Sequence, residues 1–152
     1  MALANYTSYM DAALALANQA LAIGEVPVGA VIIRNGEIVG RGHNRTRIDQ
    51  DPTAHAEIVA IREATRFLGE DRLDGCDLWV TLEPCTMCAG AIAHARIRRL
   101  YYSAGDAKGG AVDNGVRFFE SPTCHHKPEV YAGLEEKLSA KLLTDFFRGR
   151  RD

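Results

Sequence analysis

The strongest constraint on the fold is a strand–helix–strand pattern in the middle of the chain. The apolar run LWVTL (residues 78–82) ends at Glu83-Pro84, the helical pattern CTMCAGAIAHA (85–95) follows, and RRLYYS (98–103) is typical of another strand. A similar pass precedes it, because the helical pattern that begins with TAHAEIVAIREA lies between EIVGRG and LWVTL. Two such passes predict right-handed crossovers and a sheet with parallel strands covered by helices.

The remaining helices are predicted from periodicity and capping residues. A first helix is expected from about Ser8, which has capping-box spacing to Asp11, to about Gly24. The helix after the loop HNRTRIDQDP is expected to be capped by Asp51 or Thr53. A last helix is expected over about residues 134–147. The predicted buried positions are Leu14, Ala17 and Leu21 in the first helix, and Ile58, Ile61, Thr65 and Leu68 in the second.

Turn residues locate the other strands and one long loop. Asn35-Gly36 separates VPVGAVII from EIVGRG, and this dipeptide tolerates the positive φ angles of a type I′ turn, which predicts an antiparallel hairpin. Residues 105–128 contain Gly109-Gly110, Asn114-Gly115 and Pro122 and predict a long irregular loop, a length that usually serves a function. A short strand is expected around Val130.

Length and charge limit the class of protein. With 152 residues, 47% of them hydrophobic, we expect residues 1–152 to form one domain. The net charge of −2 argues against broad, nonspecific attraction to nucleic acid but allows a local basic patch. No apolar run approaches the roughly 20 residues that span a bilayer, and the first basic residue is Arg34, so we expect no membrane segment, no signal peptide and a cytoplasmic location.

Two cysteines and one histidine mark the starts of two predicted helices. Cys85 and Cys88 lie on one face of a first helical turn, where the helix N-terminus lowers thiol pKa values. Two thiolates and the neutral imidazole of His55 balance the charge of Zn²⁺. Because three protein ligands leave a position open for water, the pattern predicts a catalytic rather than a structural zinc site.

Glu57 stands two residues after His55. Residues two apart on a helix diverge around its axis, so Glu57 cannot easily join His55 as a ligand. Its longer side chain can instead reach a zinc-activated water from the side. We therefore predict that Glu57 is a general acid and base, a role that typically contributes about 10²- to 10⁴-fold to the rate.

Other interpretations of these residues remain open. A C-x-x-C pair also occurs in redox sites and zinc fingers, and a structural zinc site would need a fourth ligand, for which Cys76 is the main candidate. Cys76 precedes a strand and is typical of a small buried apolar residue. Cys124, His125 and His126 are a weaker candidate for a second metal site, because no partner cluster is spaced with them.

With these residues in view, the chain resembles the bacterial tRNA-specific adenosine deaminases of the cytidine deaminase-like superfamily. H-x-E with P-C-x-x-C is the known signature of zinc nucleobase deaminases. The segments EVPVGAV, DPTAHAE, GDAKGGA and DFFRGRR extend the resemblance over nearly the whole chain and indicate the tRNA branch. The resemblance implies an α/β protein with a three-layer α/β/α cytidine deaminase-like fold, in which helices flank a mixed five-stranded sheet. It also implies a homodimer that binds a tRNA anticodon stem-loop.

The resemblance further implies the reaction and the residues that perform it. The reaction is hydrolytic deamination of adenosine to inosine at the wobble position (34) of a tRNA anticodon, by zinc-activated water with Glu57 as proton shuttle. The ligands of one Zn²⁺ per subunit are His55, Cys85 and Cys88. The substrate contacts are Asn44, the backbone around Ala54, Asp106 near the nucleotide that precedes the target, and His126.

The C-terminal segment FFRGRR predicts contacts with RNA outside the pocket. Phe147 offers a stacking surface, and Arg148, Arg150 and Arg151 are suited to phosphates. Two positions depart from the family pattern. His125 stands where close relatives tend to have an asparagine, and Gly105 stands where some have a basic residue, which predicts one weaker phosphate contact.

Two other functions remain open. A deaminase for a free base or nucleoside, such as guanine or cytidine, would use the same zinc chemistry without RNA contacts. A nonenzymatic, zinc-stabilised RNA-binding module would need neither an open coordination position nor Glu57.

Overall fold

Five strands and four α-helices occur in residues 8–149, the part of the chain that the structure, a computed structural model, describes. The strands are β1 (Gly29–Arg34), β2 (Glu37–His43), β3 (Asp77–Leu82), β4 (Arg99–Ala104) and β5 (Glu129–Ala132). The helices are α1 (Met10–Ala22), α2 (Ala56–Leu68), α3 (Thr86–Ala95) and α4 (Glu136–Arg148). In this part of the chain, no helix is both long enough and apolar enough to cross a membrane.

The sheet is mixed, in the order β2-β1-β3-β4-β5. β1 is antiparallel to both of its neighbours, whereas β3, β4 and β5 are parallel. The strand–helix–strand unit β3-α3-β4 therefore joins adjacent strands, and the connection β2-α2-β3 passes across β1. The predicted mixed five-stranded sheet is confirmed. So is the predicted hairpin, because Asn35 and Gly36 adopt φ angles of 52° and 78°.

Alternating side chains of β1, an interior strand, face two hydrophobic cores on opposite sides of the sheet. Ala30 and Ile32 face the core that contains the buried sides of α2 and α3. Val31 and Ile33 point to the opposite core, where α1 packs with Leu142 of α4. Because β1 is covered on both faces, it is apolar throughout most of its length. Helices thus lie on both sides of the sheet, as the three-layer prediction required.

A row of aromatic rings crosses three parallel strands on the α1 side. Trp79, Tyr101 and Tyr131 are cross-strand neighbours in register. The ring centroids of Trp79 and Tyr101 are 3.8 Å apart and stacked, and those of Tyr101 and Tyr131 are 5.0 Å apart. Such pairs stabilise neighbouring strands beyond the area that they bury.

The face that α2 turns towards β2 consists of small residues. A Cβ atom on Gly40 would lie 2.5 Å from the carbonyl oxygen of Ala60, and one on Gly42 would lie 2.4 Å from that of Ala56. The backbones of helix and strand are therefore in direct contact. This contact explains why the predicted core face of α2 was only partly correct. Ile61 and Leu68 pack against the core but are only partly buried, as are Ile58 and Thr65, whereas the buried residues are Ala56, Glu57, Ala60 and Ala64.

Two capping and burial predictions also need correction. Leu21 is 37% exposed, because α1 turns small residues towards the sheet, where a Cβ on Gly29 would lie 2.0 Å from the carbonyl oxygen of Ala13. The N-cap of α2 is His55, not Asp51 or Thr53. Asp51 instead accepts hydrogen bonds from the backbone N–H and the hydroxyl of Thr53, at 2.8 and 2.7 Å, and so shapes the preceding loop.

Candidate metal centre and pocket

The structure brings the three predicted metal ligands together at the N-termini of α2 and α3. His55 is the N-cap of α2 and Cys85 is the N-cap of α3, and both have extended backbone angles. Cys88 lies one turn into α3 and is buried. The Nδ1 atom of His55 is 3.6 Å from the Sγ atom of each cysteine. Two helix starts on the same side of the sheet thus place one nitrogen and two sulfur atoms around a common point.

These distances test whether a zinc ion fits. Tetrahedral Zn²⁺, with Zn–S bonds of about 2.3 Å and Zn–N bonds of about 2.0 Å, separates nitrogen from sulfur by about 3.5 Å. The separations in the protein match that value. Within residues 8–149, the group that could hold a metal consists of His55, Cys85 and Cys88, with no fourth side chain. The donor set therefore fits a zinc ion with one open coordination position.

The two thiols differ in their readiness to ionise. A hydrogen bond from the Cys88 thiol lowers the pKa of Cys85 to about 4, with a further contribution from His55 and against the effect of burial. The neighbouring sulfur and burial raise the pKa of Cys88. Contact with Cys85 raises the pKa of His55. Cys85 therefore ionises more readily than Cys88, and a bound cation would favour ionisation of both sulfurs.

Glu57 lies beside this cluster in the first turn of α2 and is only 4% exposed. Burial raises the pKa of its carboxyl group to about 7, although its own backbone N–H and the Cys88 thiol act in the opposite direction. A carboxyl group of this kind exchanges protons readily near neutral pH. Glu57 also lines the adjacent pocket, together with His55 and Cys85.

The pocket opens at one end of the strands, where β2, β3 and β4 finish and β1 begins. Its volume is about 340 Å³, within the range of small-molecule sites. Val26, Val28 and Leu82 form an apolar wall. Polar groups come from Asn44 and Asp106, which occupy opposite loops. A planar, apolar group with polar edges suits this lining.

Asn44 is held by a buried carboxylate that the sequence patterns did not single out. The Nδ2 atom of Asn44 donates to Oε1 of Glu25 at 3.1 Å. Glu25 is 1% exposed, and its Oε2 also accepts hydrogen bonds from the backbone N–H groups of Arg47 and Ile48, at 3.0 and 2.8 Å. Glu25 therefore fixes both the Asn44 side chain and the loop that follows it. An acid within the apolar segment GEVPVGAV was the available signal.

Asp106 both lines the pocket and caps its own loop. It lines the pocket from the loop that follows β4, and its proximity to the nucleotide preceding the target stays a prediction. Its Oδ1 atom also caps its own loop, accepting hydrogen bonds from the N–H groups of Lys108 and Gly109 at 3.1 and 2.9 Å. The N–H of Asp106 donates to Oε1 of Glu83 at 2.9 Å. Glu83 is a second buried carboxylate that sequence reasoning did not identify.

Two predicted substrate contacts lie outside the lining of this pocket. The Nε2 atom of His126 is 2.6 Å from the carbonyl oxygen of Ile97, just before β4 and at the opposite end of the strands. His126 lies outside the pocket because β5 is parallel to β4 and the connecting loop returns to the start of β4, and its contact with the substrate stays a prediction. Ala54 is buried and directly precedes His55, which lines the pocket, and its carbonyl oxygen accepts a hydrogen bond from the N–H of Arg45 at 2.9 Å.

The other cysteines do not extend the metal group. Cys76 is fully buried in the core, and its thiol lies 3.8 Å from the carbonyl oxygen of Asp74, as expected for a small apolar residue. The thiol of Cys124 donates to the carbonyl oxygen of His126 at 3.1 Å. Neither cysteine belongs to a metal-binding group in the described part of the chain.

The C-terminal residues divide between core and surface. Phe146 is buried, whereas Phe147 is 53% exposed and packs edge-to-face against it, with ring centroids 5.3 Å apart. Arg148 is exposed at the end of α4. The predicted contacts Arg150 and Arg151 lie outside the described residues.

Comparison with known proteins identifies the family. Residues 3–104 match the model of the cytidine and deoxycytidylate deaminase zinc-binding region. The tRNA-specific adenosine deaminase of Agrobacterium fabrum is 58% identical over 149 residues, which cover 98% of each chain. A solved structure from studies of A-to-I editing by tRNA:A34 deaminases at the wobble position of transfer RNA has a TM-score of 0.88 and 59% identity, covering 89% of this chain and 98% of that chain.

A second solved structure marks the wider family. The guanine deaminase from Bacillus subtilis has a TM-score of 0.65 and 32% identity, over 97% of this chain and 96% of that chain. Identity to the tRNA-specific adenosine deaminase of Agrobacterium fabrum is much higher, at 58%. The chain therefore belongs to the tRNA-specific adenosine deaminases, a branch of the zinc-dependent cytidine and deoxycytidylate deaminase family.

Proposed function

We propose that the protein hydrolyses adenosine to inosine and ammonia at the wobble position (34) of a tRNA anticodon. The observation that carries this proposal is the three-ligand metal group, which lies on a pocket of about 340 Å³ beside the buried carboxyl group of Glu57. Similarity to tRNA-specific adenosine deaminases over nearly the full chain supports the choice of substrate.

The residues of the site have separate tasks in this reaction. His55, Cys85 and Cys88 hold one Zn²⁺ per subunit. When bound, Zn²⁺ lowers the pKa of water to about 7 and supplies a nucleophile near neutral pH. Glu57 moves both protons of the attacking water: its carboxylate takes the first and delivers it to a ring nitrogen of adenine, then takes the second from the new hydroxyl on C6 and gives it to the 6-amino group, which leaves as ammonia. Val26, Val28 and Leu82 exclude water from the faces of the base.

An anticodon loop suits this pocket because its bases are already partly unstacked. Extrusion of the target base therefore costs less than from a duplex. Asn44 contacts the target nucleoside, and Asp106, on the opposite loop, lies near the preceding nucleotide. The backbone beside Ala54 borders the base, and His126 contacts the RNA outside the base pocket.

Residues 147–151 extend the contact along the RNA. Phe147 stacks on a base, and Arg148, Arg150 and Arg151 bind phosphates. Truncation after Phe147 is expected to weaken stem-loop binding and to flatten its salt dependence, by about 0.7 in the log–log slope for each lost phosphate contact. Titrations at several salt concentrations measure this slope, and an unchanged slope assigns the tail to solvent.

The assembly and location follow from the same proposal. We expect a homodimer that binds two anticodon stem-loops, each near the subunit interface, and a cytoplasmic location, where tRNA is processed. Sedimentation with and without stem-loop RNA measures the stoichiometry.

The alternative is deamination of a free base or nucleoside, which similarity to a guanine deaminase keeps open. The test is ammonia release from zinc-loaded protein with four substrates: an anticodon stem-loop with adenosine at the wobble position, guanine, cytidine and free adenosine. The matched control is the same stem-loop with guanosine at the wobble position. Reaction of the first stem-loop alone supports tRNA editing. Reaction of a free base or nucleoside, without reaction of the RNA, replaces it with the alternative.

A further inference from the structure

Glu83 is a buried carboxylate with an unusual number of hydrogen-bond donors. It follows Leu82, the last residue of β3, and is 2% exposed. Its carboxylate accepts five hydrogen bonds, all from the loop that follows β4. Because an ionised carboxylate is acceptor-only, these donors fix one arrangement of the loop around it.

The two oxygens of Glu83 hold different parts of this loop. Oε2 accepts from the backbone N–H groups of Val112, Asp113 and Asn114, at 3.0, 2.9 and 3.0 Å. Oε1 accepts from the N–H of Asp106 at 2.9 Å and from Nδ2 of Asn114 at 2.6 Å. One oxygen thus secures the far side of the loop, and the other secures the residue that lines the pocket.

The loop sequence leaves room for this carboxylate. A Cβ atom on Gly110 would lie 2.4 Å from Cδ of Glu83. At Gly105 a Cβ would meet Oε1 only at 3.7 Å, an ordinary contact. Glycine at position 110 therefore permits the close approach of the loop to Glu83, whereas position 105 does not require it.

We propose that Glu83 is a positioning residue that acts through Asp106 to set selectivity for the nucleotide preceding the target adenosine. This inference rests on the proposed function. Asp106 lines the pocket from the loop that follows β4. The backbone N–H of Asp106 makes the first hydrogen bond along this loop to Glu83. Hydrogen bonds from the N–H groups of Lys108 and Gly109 fix the orientation of the Asp106 carboxylate. A shift of the loop backbone therefore moves this carboxylate as well. Glu83 itself follows the strand that leads to Cys85, which ties the loop to the metal-binding helix.

Glu83→Gln is the sharpest test, because glutamine keeps one acceptor oxygen and replaces the other with a donor. We expect the three backbone N–H groups of residues 112–114 to keep the remaining oxygen of the side chain as their acceptor. The Asn114 amide can rotate to accept from the new amino group, but the N–H of Asp106 cannot. Hydrogen exchange should therefore accelerate at Asp106 and Lys108, whereas residues 112–114 stay protected. Unchanged exchange at Asp106 overturns the positioning role.

Selectivity is measured with two wobble-adenosine stem-loops that differ only in the nucleotide preceding the target. We expect Glu83→Gln to change the ratio of their kcat/KM values by about tenfold or more, towards the ratio of Asp106→Ala, since a lost charged hydrogen bond is worth about that much. The double variant should match Asp106→Ala. An equal fall on both stem-loops, with the ratio unchanged, assigns Glu83 a structural role only and overturns the proposal.

Glycine variants repeat the test from the loop side if Glu83→Gln does not fold. Gly110→Ala pushes the loop away from the carboxylate and should change the ratio in the same direction, whereas Gly105→Ala should leave it unchanged. Equal effects of the two variants contradict the proposal. If the wild-type protein deaminates neither stem-loop, the proposed function fails, and hydrogen exchange alone still decides whether Glu83 positions Asp106.

Discussion

Glu57 and Glu83 are both buried glutamates at the edge of the same pocket, yet their surroundings differ. Glu57 is 4% exposed and Glu83 is 2% exposed. Burial raises the pKa of Glu57 to about 7. Burial also raises the pKa of Glu83, but hydrogen bonds from the N–H of Asp106, the Asn114 amide and further backbone N–H groups outweigh it, and the net pKa is lowered.

The difference shows that donors, rather than burial, decide the charge of an enclosed carboxyl group. Five hydrogen bonds replace the water that Glu83 has lost and keep it ionised. Glu57 lacks such a shell and can gain or lose a proton. One side chain is therefore suited to proton transfer and the other to holding a loop.

Glu57→Gln should produce the largest effect, because it removes the proton carrier without changing the shape of the side chain. We expect kcat on a wobble-adenosine stem-loop to fall by about 10²- to 10⁴-fold. Zinc content, measured by elemental analysis, should stay at the wild-type level. Glu63→Gln, on the exposed side of the same helix, is the matched control. Near-normal turnover of Glu57→Gln would remove Glu57 from the reaction.

Glu83→Ala should show the opposite pattern, with its main effect on stability. It leaves five donors without their acceptor, and we expect the free energy of unfolding in urea to fall by about 3 kcal/mol or more. Glu57→Ala should change it by less than about 1 kcal/mol, since that carboxyl group gains little from its surroundings. Equal losses of unfolding free energy in Glu83→Ala and Glu57→Ala would contradict the distinction between the two carboxyl groups.

Glu25→Gln extends the comparison to a third buried carboxylate. Its three donors include the side chain of Asn44, so one hydrogen bond in the Asn44 loop should be lost. We expect kcat/KM to fall about tenfold, chiefly through KM, while zinc content is retained. Addition of Glu25→Gln to Asn44→Ala should have little further effect on KM. Fully additive effects would show that Glu25 does not act through Asn44.

Asn114→Ala should have a smaller effect on stability than Glu83→Ala. It removes only one of the donors to Glu83 and leaves the backbone N–H groups in place. A loss of about 1 to 2 kcal/mol in unfolding free energy is expected, as for one hydrogen bond to a charged group. A loss as large as that of Glu83→Ala would mean that the side chain of Asn114, rather than the backbone shell, holds the carboxylate.

The parts of the fold and site that sequence predicted depend on local geometry. Cys85 and Cys88 share one helical turn, so their spacing alone places two sulfur atoms on one face. Asn35-Gly36 similarly specifies its turn through the φ angles that these residues tolerate. The position of His126 depended instead on the direction of β5, which a four-residue strand does not reveal.

The buried carboxylates were not predictable for a different reason. Glu25 and Glu83 bind mainly backbone N–H groups of loops more than 20 residues away, and backbone groups leave no pattern in a sequence. The buried face of α2 depended on Gly40 and Gly42 in another element. Periodicity within the helix favoured its larger side chains, because it contains no information on how closely the neighbouring strand approaches.

The contact of α2 with the glycines of β2 has a consequence for metal binding. Gly40 and Gly42 bring the two backbones together without intervening side chains, so no rotatable bond sets the distance between helix and strand. His55 is the N-cap of that helix, so its backbone has little freedom to move relative to β2. Zinc binding then restricts few further degrees of freedom of His55, because folding has already restricted them.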